Sequence, residues 1–161
     1  MGYAEDEIDA AAIQQIKNGT NLTQPSIIEL EADEFLVSLI DSVDIVKFTK
    51  NGSSAISAGV KLARAYTGRE LVARGADHSF FFSYDDWFIA STPITRGILQ
   101  DAIEKTKVFH YNEIASLERL IHDHPSQFAS IGLEPATTEE LKTGYFHQVQ
   151  TLGATIILFS C

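Results

Sequence analysis

The segment from Ile45 to Arg69, IVKFTKNGSSAISAGVKLARAYTGR, constrains the fold of this chain more than any other stretch. Its β-branched and apolar first residues predict a buried strand that ends near Phe48. A sharp turn at Asn51–Ser54 and an amphipathic helix that stops at Gly68 follow this strand. Leu71–Arg74 has the composition of another strand, so the segment predicts a βαβ unit with two parallel strands.

The turn at Asn51–Ser54 has the composition of an anion-binding site. The first N–H groups of a helix have no partner within the helix, and the helix dipole adds partial positive charge there. Gly52 allows a ligand to approach the backbone closely, and the hydroxyls of Ser53 and Ser54 can donate hydrogen bonds. The same composition is typical of an ordinary helix N-cap. The residues alone therefore leave two interpretations open, a phosphate site and a plain cap.

Helices and strands alternate along the rest of the chain. The apolar spacing and the turn residues predict helices over 5–17, 25–40, 112–122 and 137–152, and strands over 107–111, 128–133 and 155–159. Asn112 is expected to cap one of these helices, and Thr137–Glu140 is a capping box for the last. Residues 77–100 are irregular and rich in aromatic side chains. The alternation predicts an α/β fold, a mainly parallel sheet with helices on both faces.

In such a sheet, ligands bind beyond the carboxyl ends of the strands. Three segments are predicted to lie at that edge: Asn51–Ser54, Asp77–Tyr84 and Glu134–Thr137. The chain as a whole is interpreted as a single α/β domain over residues 1–161. Within it, residues 1–44 form a helical lead-in and residues 45–161 carry the sheet.

Composition narrows the possible partners. Acidic residues outnumber basic ones by 22 to 12, and a net charge of −10 disfavours nucleic acid and anionic membrane surfaces as partners. The acidic start has no signal-peptide pattern, and the single cysteine, Cys161, suits a reducing compartment, so a cytoplasmic location is expected. His122 and His124 point apart on a helix, and Asp85 and Asp86 lack further convergent ligands, so no metal site is predicted.

The text of residues 50–74, KNGSSAISAGVKLARAYTGRELVAR, resembles a motif of class III pyridoxal-phosphate (PLP) aminotransferases. Their phosphate-binding strand–turn–helix reads N-S-G-T-E-A and ends in L-A-R-A-Y-T-G-R. The subgroup it resembles most is glutamate-1-semialdehyde 2,1-aminomutase and its relatives. In this resemblance Asn51 stands at the family's Ser, Gly52 at its Gly and Ser53 at its Thr, which implies that these three bind the cofactor. Ser54 stands at the family's Glu.

The resemblance covers most of residues 2–153 and implies two further cofactor contacts. His78 matches the His of the family's G-x-Y-H-G phrase, but Asp77 stands where the Tyr that stacks on the cofactor would be. His78 itself or Phe80–Phe82 could stack on the ring instead. The alternative interpretation of His78 is a loop histidine, and that of the three Phe residues is packing in the core. Glu134, in IGLEPAT, matches the family's Glu before Pro, which approaches the cofactor edge. Its alternative is a strand-end carboxylate that meets only solvent.

Two groups that PLP chemistry requires have no match in this text. Phe159, in GATIILFSC, stands where the family has the Asp that pairs with the pyridine nitrogen. None of the seven lysines lies in a motif that matches the Schiff-base lysine. The resemblance therefore implies a partial large domain of a PLP-dependent transferase, with no catalytic residue of its own and inactive alone. A truncation, a frameshift near residue 154 or a noncatalytic descendant would each explain this.

The family acts on amino acids or amino-aldehydes and works as homodimers, so a small amino substrate and self-association are expected. An apolar strand at 155–159 with an unpaired edge would favour self-association as well. Two other functions remain open. One is a noncatalytic binding or interaction protein on the same scaffold. The other is an unrelated α/β protein that binds a phosphorylated ligand at residues 51–54.

Overall fold

The structure is a computed structural model, and it describes residues 4–20, 23–75, 96–133, 139–152 and 156–158. The chain divides into two compact units, Met1–Phe48 and Thr49–Cys161. Within the described ranges, every helix is too short or too polar to cross a membrane.

Among residues 4–20 and 23–48, the first unit has two helices of 13 residues each, α1 (Asp6–Asn18) and α2 (Ile27–Leu39). The first turn of α1 is acidic and its last turn carries Lys17, an arrangement that complements the helix dipole. The hydroxyl of Ser26 caps α2 and accepts the Glu29 N–H at 3.2 Å. Neither helix contains a buried residue. Both helices match the sequence prediction to within two residues.

The prediction of a buried strand that ends near Phe48 is wrong. Residues 45–49 have no strand pairing, and the side chain of Ile45 is 85% exposed. The Val46 N–H instead donates to the carboxylate of Asp33 at 3.1 Å. A β-branched run forms a strand only where a neighbouring strand offers it a pleated surface, and none of the described strands pairs with this run. The βαβ unit predicted from residue 45 onward therefore does not form.

The described residues of the second unit form a four-stranded parallel sheet in the order β2-β1-β3-β4. The strands are β1 (Leu71–Gly75), β2 (Thr106–Phe109), β3 (Phe128–Leu133) and β4 (Ile156–Leu158). The helices are α3 (Gly52–Thr67), α4 (Gln100–Lys105), α5 (Ile114–Asp123) and α6 (Tyr145–Thr151). The predicted α/β fold with a mainly parallel sheet is confirmed.

Helices cover both faces of this sheet. On one face, α5 and α6 pack against each other and, together with the strands, bury an apolar core. The fully buried residues of this core include Ala73, Phe109, Leu117, Ile131 and Val149. The connections β2–α5–β3 and β3–α6–β4 run in the same direction along the sheet, and right-handed crossovers place their helices on the same face. Helix α3 lies against β3 and β4, and its buried residues Val60 and Ala63 are outside that core. It therefore covers the other face.

Several element boundaries differ from the sequence prediction. Helix α4 begins at Gln100, at the end of the stretch predicted to be irregular; residues 77–95 of that stretch lie outside the described residues. Asn112 does not cap α5, because Glu113 is its N-cap residue and makes no side-chain cap bond. Helix α6 begins at Tyr145 instead of 137, and Gly144 precedes it with φ of 80°. The predicted helix is therefore wrong over residues 139–144.

Candidate functional site

The start of α3 lies at the carboxyl edge of the sheet. The helix stops at Gly68, whose φ of 67° is a left-handed conformation that glycine adopts readily, and β1 begins three residues later. Arg69 donates to the carbonyl of Phe128, the first residue of β3, at 3.3 Å, so the helix ends at the amino edge. Sixteen residues of helix span about 24 Å and five residues of strand about 16 Å, so α3 reaches past the opposite, carboxyl edge.

Asn51 organises the first turn of this helix. It is the N-cap residue, with an extended backbone, and its Oδ1 accepts the Ser54 N–H at 2.9 Å. Its carbonyl accepts the Ala55 N–H at 3.2 Å and the Thr49 hydroxyl at 2.9 Å. The capping interpretation is therefore correct for the Asn51 side chain, and the Gly52 amide is the candidate anion donor of this turn.

Gly52 is an open part of the turn. It is exposed, and a Cβ built on it would meet no atom within 4 Å. Within the described ranges, no group accepts a hydrogen bond from its N–H. Ser53 is half-buried and has an interaction of its own. The first turn of α3 has no acidic residue, and exposed Lys50 lies just before it, so the positive end of the helix dipole has no carboxylate in that turn. These residues fit a phosphate group.

Arg74 adds a buried positive charge near the same edge. It is the second-last residue of β1 and only 5% exposed, and burial lowers the pKa of its guanidinium to about 10, so it remains charged at neutral pH. Side chains alternate along a strand, and Ala73 faces the core under α5 and α6, so Arg74 lies on the face that α3 covers. No role for Arg74 was predicted from the sequence, although a charge inside the apolar strand LVARG was a usable signal.

Asn112 joins two loops at the carboxyl edge. Its Nδ2 donates to Glu139 Oε1 at 2.8 Å and to the Glu140 carbonyl at 2.9 Å. Its Oδ1 accepts the Lys142 N–H at 2.9 Å, and Lys142 Nζ donates to the Asn112 carbonyl at 3.3 Å. These bonds use the polar groups of residues 139–142 outside any helix, which explains why the capping box at 137–140 does not start α6.

The remaining predicted site residues, His78 and Glu134, lie outside the described residues, as do Asp77 and Phe80–Phe82. The strands that lead to them are described. β1 ends at Gly75 and β3 at Leu133, and the two strands pair in parallel, so both end at the carboxyl edge. The structure thus brings Asn51, Gly52 and Ser53 together in one turn and leaves the roles of His78 and Glu134 as predictions.

No three potential metal ligands come together within the described ranges. His122 and Asp123 form an exposed contact, with 3.2 Å between Nδ1 and Oδ1, at the end of α5.

Comparison with known proteins relates this geometry to a family. No protein-family model matches the sequence. Glutamate-1-semialdehyde 2,1-aminomutase of Francisella philomiragia is 28% identical over 145 residues, which are 84% of this chain and 33% of that protein. Aminopentol aminotransferase of Sphingopyxis macrogoltabida is 36% identical over 137 residues, which are 84% of this chain and 31% of that protein. The chain thus spans about a third of the length of these curated relatives.

Solved structures agree with these relatives. An omega-transaminase from Sphaerobacter thermophilus superposes with a TM-score of 0.86 at 26% identity, over 96% of this chain and 40% of that one. The FumI protein of Sphingopyxis sp. MTA144, solved in a PLP internal aldimine form, gives a TM-score of 0.84 at 28% identity. The match covers 97% of this chain and 39% of that one. The chain therefore resembles part of the PLP-dependent aminotransferases and aminomutases in sequence and in fold, as predicted, and PLP is the cofactor that this resemblance implies.

Proposed function

We propose that this chain forms the part of a PLP-dependent aminotransferase or aminomutase of class III that holds the cofactor phosphate. The observation that carries the proposal is the open start of α3, free of acidic residues, at the carboxyl edge of a parallel sheet. Asn51 holds the first turn in place, the amide of Gly52 binds the phosphate oxygens, and Ser53 takes part in binding as the resemblance implies. When bound, PLP supplies an electron sink for the substrate's reacting carbon.

Two other residues complete the proposed site. Glu134 approaches the edge of the cofactor, and His78 lies against its ring; both roles come from the resemblance.

The proposed substrates are amino acids or amino-aldehydes, in keeping with relatives named aminotransferases and aminomutases. We propose that these 161 residues bind the cofactor without turning over a substrate. Phe159 stands at the position of the family's Asp, and no lysine lies in a motif that matches the Schiff-base lysine. The single cysteine and the acidic charge support a cytoplasmic location and argue against nucleic acid as a partner.

We also propose that the chain self-associates, because the members of the family that it resembles work as homodimers. Many large apolar side chains of the first unit are more than half exposed, among them Ile16, Ile27, Phe35, Leu39 and Ile45. Apolar surface on this scale is typical of a protein interface.

Binding of pyridoxamine 5′-phosphate, measured by equilibrium dialysis, tests the phosphate site. This ligand has no aldehyde, so it cannot attach covalently to surface lysines. Gly52→Pro removes one amide at the first helical position, where proline is well tolerated, and the extended backbone of Asn51 suits a following proline. Gly52→Ala keeps the amide and is the matched control.

We expect the wild type and Gly52→Ala to bind pyridoxamine phosphate alike, and Gly52→Pro to bind it about tenfold more weakly, the loss of one charge-assisted hydrogen bond. Pyridoxamine without its phosphate should bind poorly to all three. Equal binding of the two ligands, or equal affinity of the proline and alanine variants, would contradict the proposal. Equal affinity for a simple phosphate monoester would favour the alternative of a general binder of phosphorylated ligands.

A further inference from the structure

The dipeptide Asn51–Gly52 contains two groups that can react with each other. Asn51 carries a side-chain amide, and the glycine after it has a backbone nitrogen that no side chain shields. In such pairs the nitrogen attacks the side-chain carbonyl carbon of the asparagine, which forms a succinimide ring and releases ammonia. The chain has a second pair of this kind, Asn18–Gly19, so the surroundings of the two pairs decide which one reacts faster.

The two glycine nitrogens differ in their hydrogen bonds. The Gly19 N–H donates to the Ile16 carbonyl at 3.2 Å, and this bond must break before the nitrogen can attack. Among the residues that the structure describes, none accepts a hydrogen bond from the Gly52 N–H. Gly52 is also exposed, and a Cβ built on it would meet no atom within 4 Å, whereas Gly19 is half-buried. The Gly52 nitrogen is therefore the more available nucleophile.

The two pairs also lie at opposite ends of their helices. Gly52 is the first residue of α3, at the positive end of the helix dipole, and Gly19 follows the last residue of α1, at the negative end. The attacking nitrogen must first lose its proton, and a positive potential stabilises the anion that results. The Ser54 N–H donates to Asn51 Oδ1 at 2.9 Å, and this oxygen is where negative charge develops during the attack. Both effects favour reaction at Asn51.

We propose that Asn51 is a modification site, at which the side-chain amide is lost by deamidation through Gly52. The Gly52 nitrogen bonds to Cγ of Asn51 as the bond between Cγ and Nδ2 breaks, and the Nδ2 group takes up one proton and leaves as ammonia. Water then opens the succinimide and gives an aspartate or an isoaspartate at position 51. Ring closure requires the Asn51 backbone to rotate from its ψ of 168°, which the fraying of an exposed first turn allows.

The product changes the candidate phosphate site. Aspartate caps a helix about as well as asparagine does, so α3 should keep its first turn. The new carboxylate, however, lies beside the Gly52 amide, in a turn that otherwise has no acidic residue, and it repels an anionic ligand. This consequence rests on the proposed function, whereas the reaction itself rests on the surroundings of Gly52. In the family that the chain resembles, the Ser at this position has no amide to lose.

Mass spectrometry of peptides from the full chain, incubated at mildly alkaline pH, measures the reaction. We expect Asn51 to convert about tenfold faster than Asn18, because its nitrogen breaks no backbone bond and lies at the favourable end of a helix dipole. Gly52→Ala places a methyl group in open space but hinders the attack, so it should slow conversion at Asn51 about tenfold and leave Asn18 unchanged. Equal rates at the two asparagines, a faster reaction at Asn18, or no effect of Gly52→Ala would overturn the proposal.

The variant Asn51→Asp reproduces one product and tests the consequence for binding. We expect it to bind pyridoxamine 5′-phosphate at least about tenfold more weakly than the wild type, with no loss of thermal stability. Asn18→Asp makes the same change in the other pair and should bind like the wild type. Equal binding by the two variants would overturn this consequence.

Protection by the ligand links the reaction to the site. Saturating pyridoxamine 5′-phosphate should slow deamidation at Asn51, because the bound phosphate occupies the Gly52 N–H, and should leave Asn18 unaffected. Equal rates at Asn51 with and without bound ligand would contradict the link. A wild type that does not bind this ligand would overturn the proposed function and the consequence for binding, and the two rates in the absence of ligand would still decide whether Asn51 is the modification site.

Discussion

The two units of this chain form their helices by different means. In Met1–Phe48, α1 and α2 have acidic first turns, and α2 has a capping side chain, but neither helix has a buried residue. In Thr49–Cys161, the sheet and α5 and α6 bury a continuous apolar core, and β3 is buried along its entire length. The first unit thus depends on local signals and carries its apolar residues on its surface, whereas the second is held by tertiary packing.

The contrast also bears on function. A binding site needs backbone groups held in fixed positions, and the turn at Asn51–Ser54 and the bonds of Asn112 both belong to the second unit. The first unit offers exposed apolar surface instead, which suits contact with another chain.

The largest difference between the two units is expected in the loss of stability that a Leu→Ala substitution causes in each. Leu117→Ala in α5 removes a fully buried side chain and should lower the free energy of unfolding by about 2–5 kcal/mol. Leu30→Ala in α2 truncates a side chain that is 53% exposed and should change it by less than about 0.5 kcal/mol. Urea unfolding followed by circular dichroism measures both, and similar losses would show that the first unit has a core of its own.

The next effect concerns self-association. Ile27 is 78% exposed in α2 and Leu62 is 71% exposed in α3, so replacing either with Glu should leave the fold intact. If the apolar surface of the first unit joins copies of the chain, Ile27→Glu should weaken association at least about tenfold, about 1.4 kcal/mol. Leu62→Glu should have no such effect. Light scattering over a concentration series measures both, and a wild type that stays monomeric would refute the proposed self-association.

The smallest effect is expected for two Ser→Ala substitutions, one in each unit, which should change the free energy of unfolding in opposite directions. Ser26→Ala removes the cap of α2 and should lower the free energy of unfolding by about 1 kcal/mol. Ser130, in β3, is fully buried, and within the described ranges its hydroxyl has no hydrogen-bond partner. Ser130→Ala should therefore raise the free energy of unfolding by up to about 1 kcal/mol, since a buried hydroxyl without a partner is costly. Thermal unfolding measures both variants. Melting temperatures that shift in the same direction relative to the wild type would contradict this explanation.

Elements with strong local signals are predictable from the sequence. Strand β3 matches its predicted bounds, 128–133, because its residues form an apolar run bounded by polar ones. Helix α3 ends at Gly68 as predicted, since the left-handed stop favours glycine. The position of Asn51–Ser54 at a helix start follows from the same local reasoning, although its role in binding stays a prediction.

Features that depend on distant partners are not predictable in this way. The run from Ile45 to Phe48 has strand propensity, but the described sheet gives it no partner strand. Asn112 and Glu139 each carry a capping signal, yet they bond to each other across 27 residues. Local patterns describe what a segment can form alone, and tertiary bonds decide these cases.

The most direct test of the central claim is an NMR titration of the 15N-labelled chain with pyridoxamine 5′-phosphate. We expect the amide signals of Gly52 and Ser53 to shift most and to saturate together, while those at the starts of α1 and α2 stay in place. Unchanged Gly52 and Ser53 signals, or equal shifts at all three helix starts, would show that α3 is not the phosphate site.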